Sequence, residues 1–124
     1  MPKYWFDHVH SIVPDPLRTA EFYQRMFGAQ RVSVSEIPPE VGLLVTLKLG
    51  DTVIKLMTPR PKPLGSVSGL EHFGLRTDNI EAAVDELEQA GAQVVRRVIE
   101  EAPGIKSAFL SIDNTLIELQ ERRD

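Results

Sequence analysis

At 124 residues, 42% hydrophobic and 26% charged, the chain has the length of one domain and enough apolar content to bury a core without staples. It contains no cysteine, which excludes disulfides, thiolate metal ligands and a cysteine nucleophile, so any bound metal would rest on nitrogen and oxygen donors. A formal net charge of −4 and the lack of any apolar run of membrane-spanning length make nucleic acid and membrane unexpected partners.

The start, Met1-Pro2-Lys3-Tyr4-Trp5, has no long apolar stretch of the signal-peptide kind, and a cytoplasmic location is expected. The basic pairs Arg96-Arg97 and Arg122-Arg123 read as solvated charges. Residues 4–13, rich in β-branched and aromatic side chains, predict a first strand. Asp15-Pro16 predicts a helix start, with Asp15 as N-cap and Pro16 in the first helical position. Leu17, Ala20, Tyr23, Met26 and Phe27 form its apolar stripe, and Gly28 is a left-handed stop. Strands are expected at 30–37, 43–49 and 52–57, with Pro38-Pro39-Glu40-Val41-Gly42 as a break and Gly50-Asp51 as a tight turn.

Pro59-Arg60-Pro61-Lys62-Pro63-Leu64-Gly65-Ser66 reads as a semi-rigid linker, after which the pattern begins again. A strand is expected at 70–77. Asp78 then caps a second helix, with Glu81 completing a capping box and Ile80, Ala83, Val84 and Leu87 facing the core. Strands at 93–99, 106–112 and 114–120 complete the second half, with a loop at 100–105 between the first two.

The two halves match by position. Gly28-Ala29-Gln30 recurs as Gly91-Ala92-Gln93, Ala20 as Ala83 and Leu47 as Leu110, each 63 positions on. Asp51-Thr52-Val53-Ile54-Lys55-Leu56 recurs at the same spacing as Asn114-Thr115-Leu116-Ile117-Glu118-Leu119. A common offset at separated places indicates internal duplication, with repeats at 4–58 and 69–122 inside a single domain spanning 1–124. Each repeat reads βαβββ. The fold class is therefore α+β, two tandem βαβββ modules whose curved mixed sheet surrounds a cleft.

Strand alternation sorts the polar residues. Ile117 and Leu119 oppose Leu116, Glu118 and Gln120; Ile54 and Leu56 oppose Val53, Lys55 and Met57. Likewise His8 and His10 share one face of the first strand, and His72 shares one with Gly74 and Arg76. With the apolar faces against the helices, Lys55 and Glu118 look into the cleft, and pairing of the halves about a pseudo-two-fold axis would bring His8, His72 and Glu118 together.

These segments carry a resemblance. Phe6-Asp7-His8-Val9-His10 leading into Ala20-Glu21-Phe22-Tyr23 and Phe27-Gly28, then Leu70-Glu71-His72-Phe73-Gly74-Leu75, then Leu116-Ile117-Glu118-Leu119, resemble the vicinal oxygen chelate superfamily of glyoxalases, bleomycin resistance proteins and extradiol dioxygenases. The resemblance implies a divalent metal, Fe, Mn, Ni, Co or Zn, held by His8, His72 and Glu118. His8 is preferred to His10 because Asp15 follows it by seven residues, as in the family pattern. His10, Arg76 and Gln120 are expected to line the pocket. Where glyoxalase I and the family's epimerases supply a fourth ligand, this chain has Lys55. A protonated lysine cannot ligate a cation. The ligand set then reduces to two histidines and a carboxylate, as in the facial triad of non-haem iron oxygenases.

The function implied is a metal-dependent enzyme of the glyoxalase/dioxygenase class acting on a small oxygenated substrate, by lyase, isomerase or ring-cleaving chemistry, with Lys55 and Glu118 as catalytic groups. The alternative is a metal-free ligand-binding protein of the bleomycin-resistance type, with Lys55 and Glu118 paired across the cleft. A homodimer is expected, and the loops 36–42 and 100–105 are the expected specificity elements, the second as a lid.

Overall fold

A computed structural model describes residues 1–38 and 42–123. Its eight strands and two helices give an α+β architecture, with the elements in the order β1 (Tyr4–Ile12), α1 (Pro16–Phe27), β2 (Gln30–Ile37), β3 (Gly42–Leu49), β4 (Thr52–Met57), β5 (Gly69–Thr77), α2 (Ile80–Gln89), β6 (Gln93–Ala102), β7 (Ile105–Ile112) and β8 (Thr115–Arg122). The chain divides into two compact units, His8–Glu71 and His72–Asp124 with Met1–Asp7, so that the first residues of β1 belong to the C-terminal unit.

In the N-terminal unit the strand order is β2-β3-β4-β1. The β2/β3 and β3/β4 pairs are antiparallel and β1/β4 is parallel, which makes the sheet mixed. Ala20 of α1 packs on Val45, Leu47 and Leu56, with Ala29 beside them and Val13, Tyr23 and Ile54 at the margin. Asp15 caps α1 as the sequence predicts, its carboxylate accepting from the Arg18 N–H at 3.2 Å. Gly28 closes the helix at φ 76°, a conformation that disfavours any residue with a Cβ. The expected apolar stripe of α1 is narrower in the structure. Leu17, Met26 and Phe27 are exposed; Pro16 and Ala20 are the buried residues of α1, with Tyr23 at the margin of the core. The break expected at 38–42 falls mostly on residues 39–41, outside the described residues.

In the C-terminal unit the order is β5-β8-β7-β6, with β5/β8 parallel and the other pairs antiparallel. Ile80, Ala83 and Val84 of α2 pack on Ala108, Leu110, Ile117 and Leu119. The N-cap of α2 is Asn79, not Asp78. The Asn79 side chain accepts from the Ala82 N–H at 3.2 Å, while Asp78 accepts from the backbone of Lys3. Nor does Glu81 complete a capping box. It pairs with Lys106 at 2.8 Å, which holds its carboxyl below the usual range. The Ile80 N–H, left over at the helix start, donates instead to Glu121 of β8 at 2.8 Å.

Two turns correct the expected strand ends. Asp113 and Asn114 both adopt positive φ, 50° and 67°, between the paired residues Ile112 and Thr115. That is the type I′ geometry, whose twist matches a tight hairpin and which Asn and Asp tolerate, so β8 begins at Thr115. The loop expected at 100–105 is a hairpin too. Ala102 pairs with Ile105 across Pro103-Gly104, and with only two residues between the strands no lid is left.

The cap assignment has a direct check. Asn79→Ala should lower stability by about 0.5–2 kcal/mol in urea denaturation, whereas Asp78→Ala, which loses only an exposed contact, should cost about half a kcal/mol or less. Leu119→Ala, emptying a fully buried position between β8 and α2, should cost about 2–5 kcal/mol in the same assay.

Candidate functional site

Burial on one face of β8 fixes the site residues of the C-terminal unit. Ile117 and Leu119 enter the core beneath α2, so Glu118 and Gln120 must leave through the opposite face. On that face the register sets Glu118 beside Gly74 of β5 and Phe109 of β7, and Gln120 beside Arg76 and Ser107. His72 reaches Glu118 with Nε2 at 3.5 Å from Oε1, and both side chains are buried. The His72 ring meets Phe109 edge-on at 5.2 Å between centroids. Nitrogen and carboxylate donors bound to one cation at about 2.0–2.2 Å lie roughly 3 to 3.5 Å apart, so this pair suits a shared divalent ion. Its hard and borderline donors match the metals that imidazole and carboxylate accept.

Gln120 and Arg76, expected in the pocket, belong to a polar cluster at the C-terminal ends of β5 and β8. Arg76 donates to the carbonyl of Arg122 at 3.0 Å, and Arg122 donates to Gln120 Oε1 and to Asp7 Oδ1, the latter at 2.7 Å. A cavity of about 730 Å³ opens here, lined among others by Trp5, Phe6, Asp7, Arg76 and Arg122. Trp5 is half-exposed on its wall, and Phe6 stacks on Phe73 at 6.1 Å. Arg122 is thus not the solvated charge expected from the sequence; its partner lies 115 positions away.

Within the N-terminal unit, His8 is fully buried and His10 nearly so, their rings 6.3 Å apart on one face of β1. Lys55 of β4 is in register with His10 and with Thr46 of β3, and is half-buried on the face opposite Ile54 and Leu56. Sequence reasoning missed Glu71. Its carboxylate is fully buried, gripped by Arg60 through Nε and Nη2 at 2.8 and 2.9 Å, with His10 Nε2 at 4.0 Å. Arg60 stands in the proline-rich segment, so this bidentate pair fastens the linker to β5. The signal was present as a carboxylate inside a predicted strand, yet only the fold supplies its partner.

Removing Arg60 while keeping Glu71 takes the guanidinium from a buried carboxylate. Arg60→Met should therefore destabilise the fold by about 3 kcal/mol, and the double variant Arg60→Met/Glu71→Leu should recover much of that loss in urea titrations.

Residues 7–109 match the family described as the glyoxalase/bleomycin resistance protein/dioxygenase superfamily. The chain is 31% identical over 130 aligned positions to human mitochondrial methylmalonyl-CoA epimerase, an alignment covering 93% of this chain and 72% of that protein. Among solved structures, a hypothetical protein from Bacillus halodurans C-125 superposes with a TM-score of 0.83 at 20% identity, covering 98% of this chain and 96% of the other. The methylmalonyl-CoA epimerase of Mycobacterium tuberculosis does so at 0.77 and 20% identity, over 96% and 88%. These superpositions show a glyoxalase-like fold, the one expected from the two βαβββ repeats. The chain belongs to the glyoxalase/bleomycin resistance protein/dioxygenase superfamily.

Proposed function

We propose that the protein is a divalent-metal-dependent isomerase that epimerises a 2-substituted acyl thioester, with methylmalonyl-CoA as the first substrate to test. The 31% identity to the human epimerase across 93% of the chain carries this reading. Of the chemistries the sequence leaves open, lyase, isomerase and oxygenase, isomerisation is the one these relatives support. The reading treats the chain as one glyoxalase-like domain built from repeats at 4–58 and 69–122, and the shared order of elements in the two units supports that.

In this proposal His8, His72 and Glu118 hold the metal. The buried His72–Glu118 pair supports two of these assignments, and the burial of His8 is consistent with the third. A bound divalent ion would act as a Lewis acid on substrate oxygens, which lowers the energy of an enolate. The chain's own groups handle the proton. Epimerisation breaks the C–H bond α to the thioester carbonyl, leaves the electron pair in the enolate, and returns a proton to the other face. Glu118 is proposed as the carboxylate that accepts the proton, and Lys55 as the amine that steadies or reprotonates the enolate. His10, Arg76 and Gln120 are assigned to the pocket walls. A homodimer in the cytoplasm completes the proposal. No helix among the described residues is long and apolar enough to cross a membrane.

Metal content decides the first part. Purified protein incubated separately with Mn, Fe, Ni, Co and Zn should retain one of them near stoichiometrically and melt at a higher temperature, an effect that EDTA reverses. His72→Ala and Glu118→Ala should abolish retention. Protein that stays metal-free throughout would favour the bleomycin-resistance type of ligand binding instead. For the chemistry, the wild type should exchange the α-proton of methylmalonyl-CoA with deuterated water, and Lys55→Met should slow that exchange about 100-fold or more with metal content unchanged. Absence of exchange in metal-loaded wild type would rule out the epimerase reading.

A further inference from the structure

Arg96 differs from the arginines that have ion-pair partners. Arg25, Arg60, Arg97 and Arg122 each face a carboxylate, at 3.8, 2.8, 2.8 and 2.7 Å. Arg96 faces none among the described residues. Its guanidinium is held by neutral acceptors, with Nη2 donating to Ser107 Oγ at 2.7 Å and Nη1 to the carbonyls of Ser107 and Arg97 at 3.3 and 3.1 Å. It also lies over the Phe109 ring, with Cζ 5.0 Å from the centroid. The sequence treats Arg96-Arg97 as a solvated pair, and Arg97 fits that description. Arg96 turns the other way, because register places it opposite Phe109, and Phe109 opposite Glu118.

Glu118, Phe109 and Arg96 therefore form a row across three adjacent strands on the face away from α2. Neighbouring strands are about 4.8 Å apart, so roughly 10 Å separates the backbones at the ends of the row. Phe109 is a shared floor, with the His72 ring against its edge and the Arg96 guanidinium over it. A guanidinium carries five N–H donors. Among the described residues three are engaged, which leaves Nε–H and one N–H of Nη2, the nitrogens with which Arg60 grips Glu71. Ser107 is fully buried and Phe109 nearly so, which fixes the fork before any ligand arrives.

We propose that Arg96 is a substrate-binding residue, whose free fork takes an oxyanion of the substrate, carboxylate or phosphate, at the end of the row opposite Glu118. This rests on the reading of that face as the substrate face. A thioester of a dicarboxylic acid on a phosphorylated carrier offers both kinds of oxyanion.

Titration calorimetry with malonate and with pyrophosphate separates the sources and requires no turnover. The wild type should bind at least one of them, and Arg96→Gln should bind it about 10- to 100-fold more weakly, the loss expected for a charge-assisted bidentate contact. Arg96→Lys, which keeps the charge without the fork, should fall between. In turnover, a carboxylate partner predicts similar loss of kcat/KM on methylmalonyl-CoA and on the carrier-free N-acetylcysteamine thioester; a phosphate partner predicts loss on the CoA ester alone. Thermal melting checks that each variant folds. Should Arg96→Gln fail to fold, Ser107→Ala keeps the charge but removes one anchor, and should weaken anion binding about 2- to 10-fold. Wild type that binds neither anion overturns the proposal, as does a folded Arg96→Gln, or Ser107→Ala in its place, that binds as the wild type does. A wild type inactive on methylmalonyl-CoA, yet losing anion binding in Arg96→Gln, would refute the epimerase reading alone.

Discussion

The site of the C-terminal unit depends on the burial of Ile117 and Leu119 against α2. A strand cannot rotate one residue independently of its neighbours, since a slip of one position would turn both apolar side chains to the open face and bury Glu118 beneath the helix. Burying those two side chains is worth about 1.5–3 kcal/mol each, and an unpaired carboxylate in the core would cost several more. The same choice that packs the core therefore aims Glu118 and Gln120 outward. It also fixes which residues of β5 and β7 can meet them, because register follows from the core contacts of Ala108 and Leu110.

The N-terminal unit obeys the same constraint with different chemistry. Ile54 and Leu56 pack toward α1 and Lys55 leaves by the open face. The strand beside it also differs. Glu118 is in register with Gly74, which has no side chain, whereas Lys55 is in register with His10. Beside this glycine the Glu118 carboxylate lies 3.5 Å from His72, and an imidazole occupies the corresponding position beside Lys55. Each exchange alone is a point change, but the pair alters both the charge and the space of the open face without touching the core that holds the strand. Core and site are separable in this fold because they occupy opposite faces of the same strands.

Most of this architecture was legible in the sequence for the same reason. Period-two alternation, the Asp15-Pro16 cap and the Gly28 stop are local signals with local causes, and they located α1, β4 and the outward position of Glu118. The failures came where two local signals competed or the partner was distant. Asp78 and Asn79 are both good caps, and the choice fell to Asn79 while Asp78 accepts from the backbone of Lys3. Leu17, Met26 and Phe27 have the spacing of a core stripe, but the contact of α1 with its sheet is centred on Ala20, and spacing alone does not tell which part of a stripe is covered. Glu71, Arg96 and Arg122 were read as ordinary surface or strand residues because the groups that define them, Arg60, Phe109 and Asp7, are brought to them only by tertiary structure.

The loss of the expected lid changes where specificity can reside. With Glu100 to Ala102 built into β6 and a two-residue turn closing the hairpin, that end of the C-terminal unit has little loop with which to cover a ligand. The groups facing the Glu118 side are carried by strands, namely Phe109 and Ser107 on β7, Arg96 on β6 and Arg76 on β5. Ladder hydrogen bonds hold the backbone at these positions, β7 between two neighbours and the edge strand β6 against β7 alone, so these side chains have less freedom to lose than loop residues would. The register of β6 is irregular around Arg96, with shifts between Val94 and Arg96 and again before Ile99. Bulges re-aim single side chains without disturbing the rest of a sheet. Such a bulge explains how Arg96 can turn over Phe109 while its neighbour Arg97 remains in solvent with Glu88. On the proposed reading of this face as the substrate face, discrimination would rest on strand register, and changing it by evolution or design would mean moving a bulge more than rebuilding a loop.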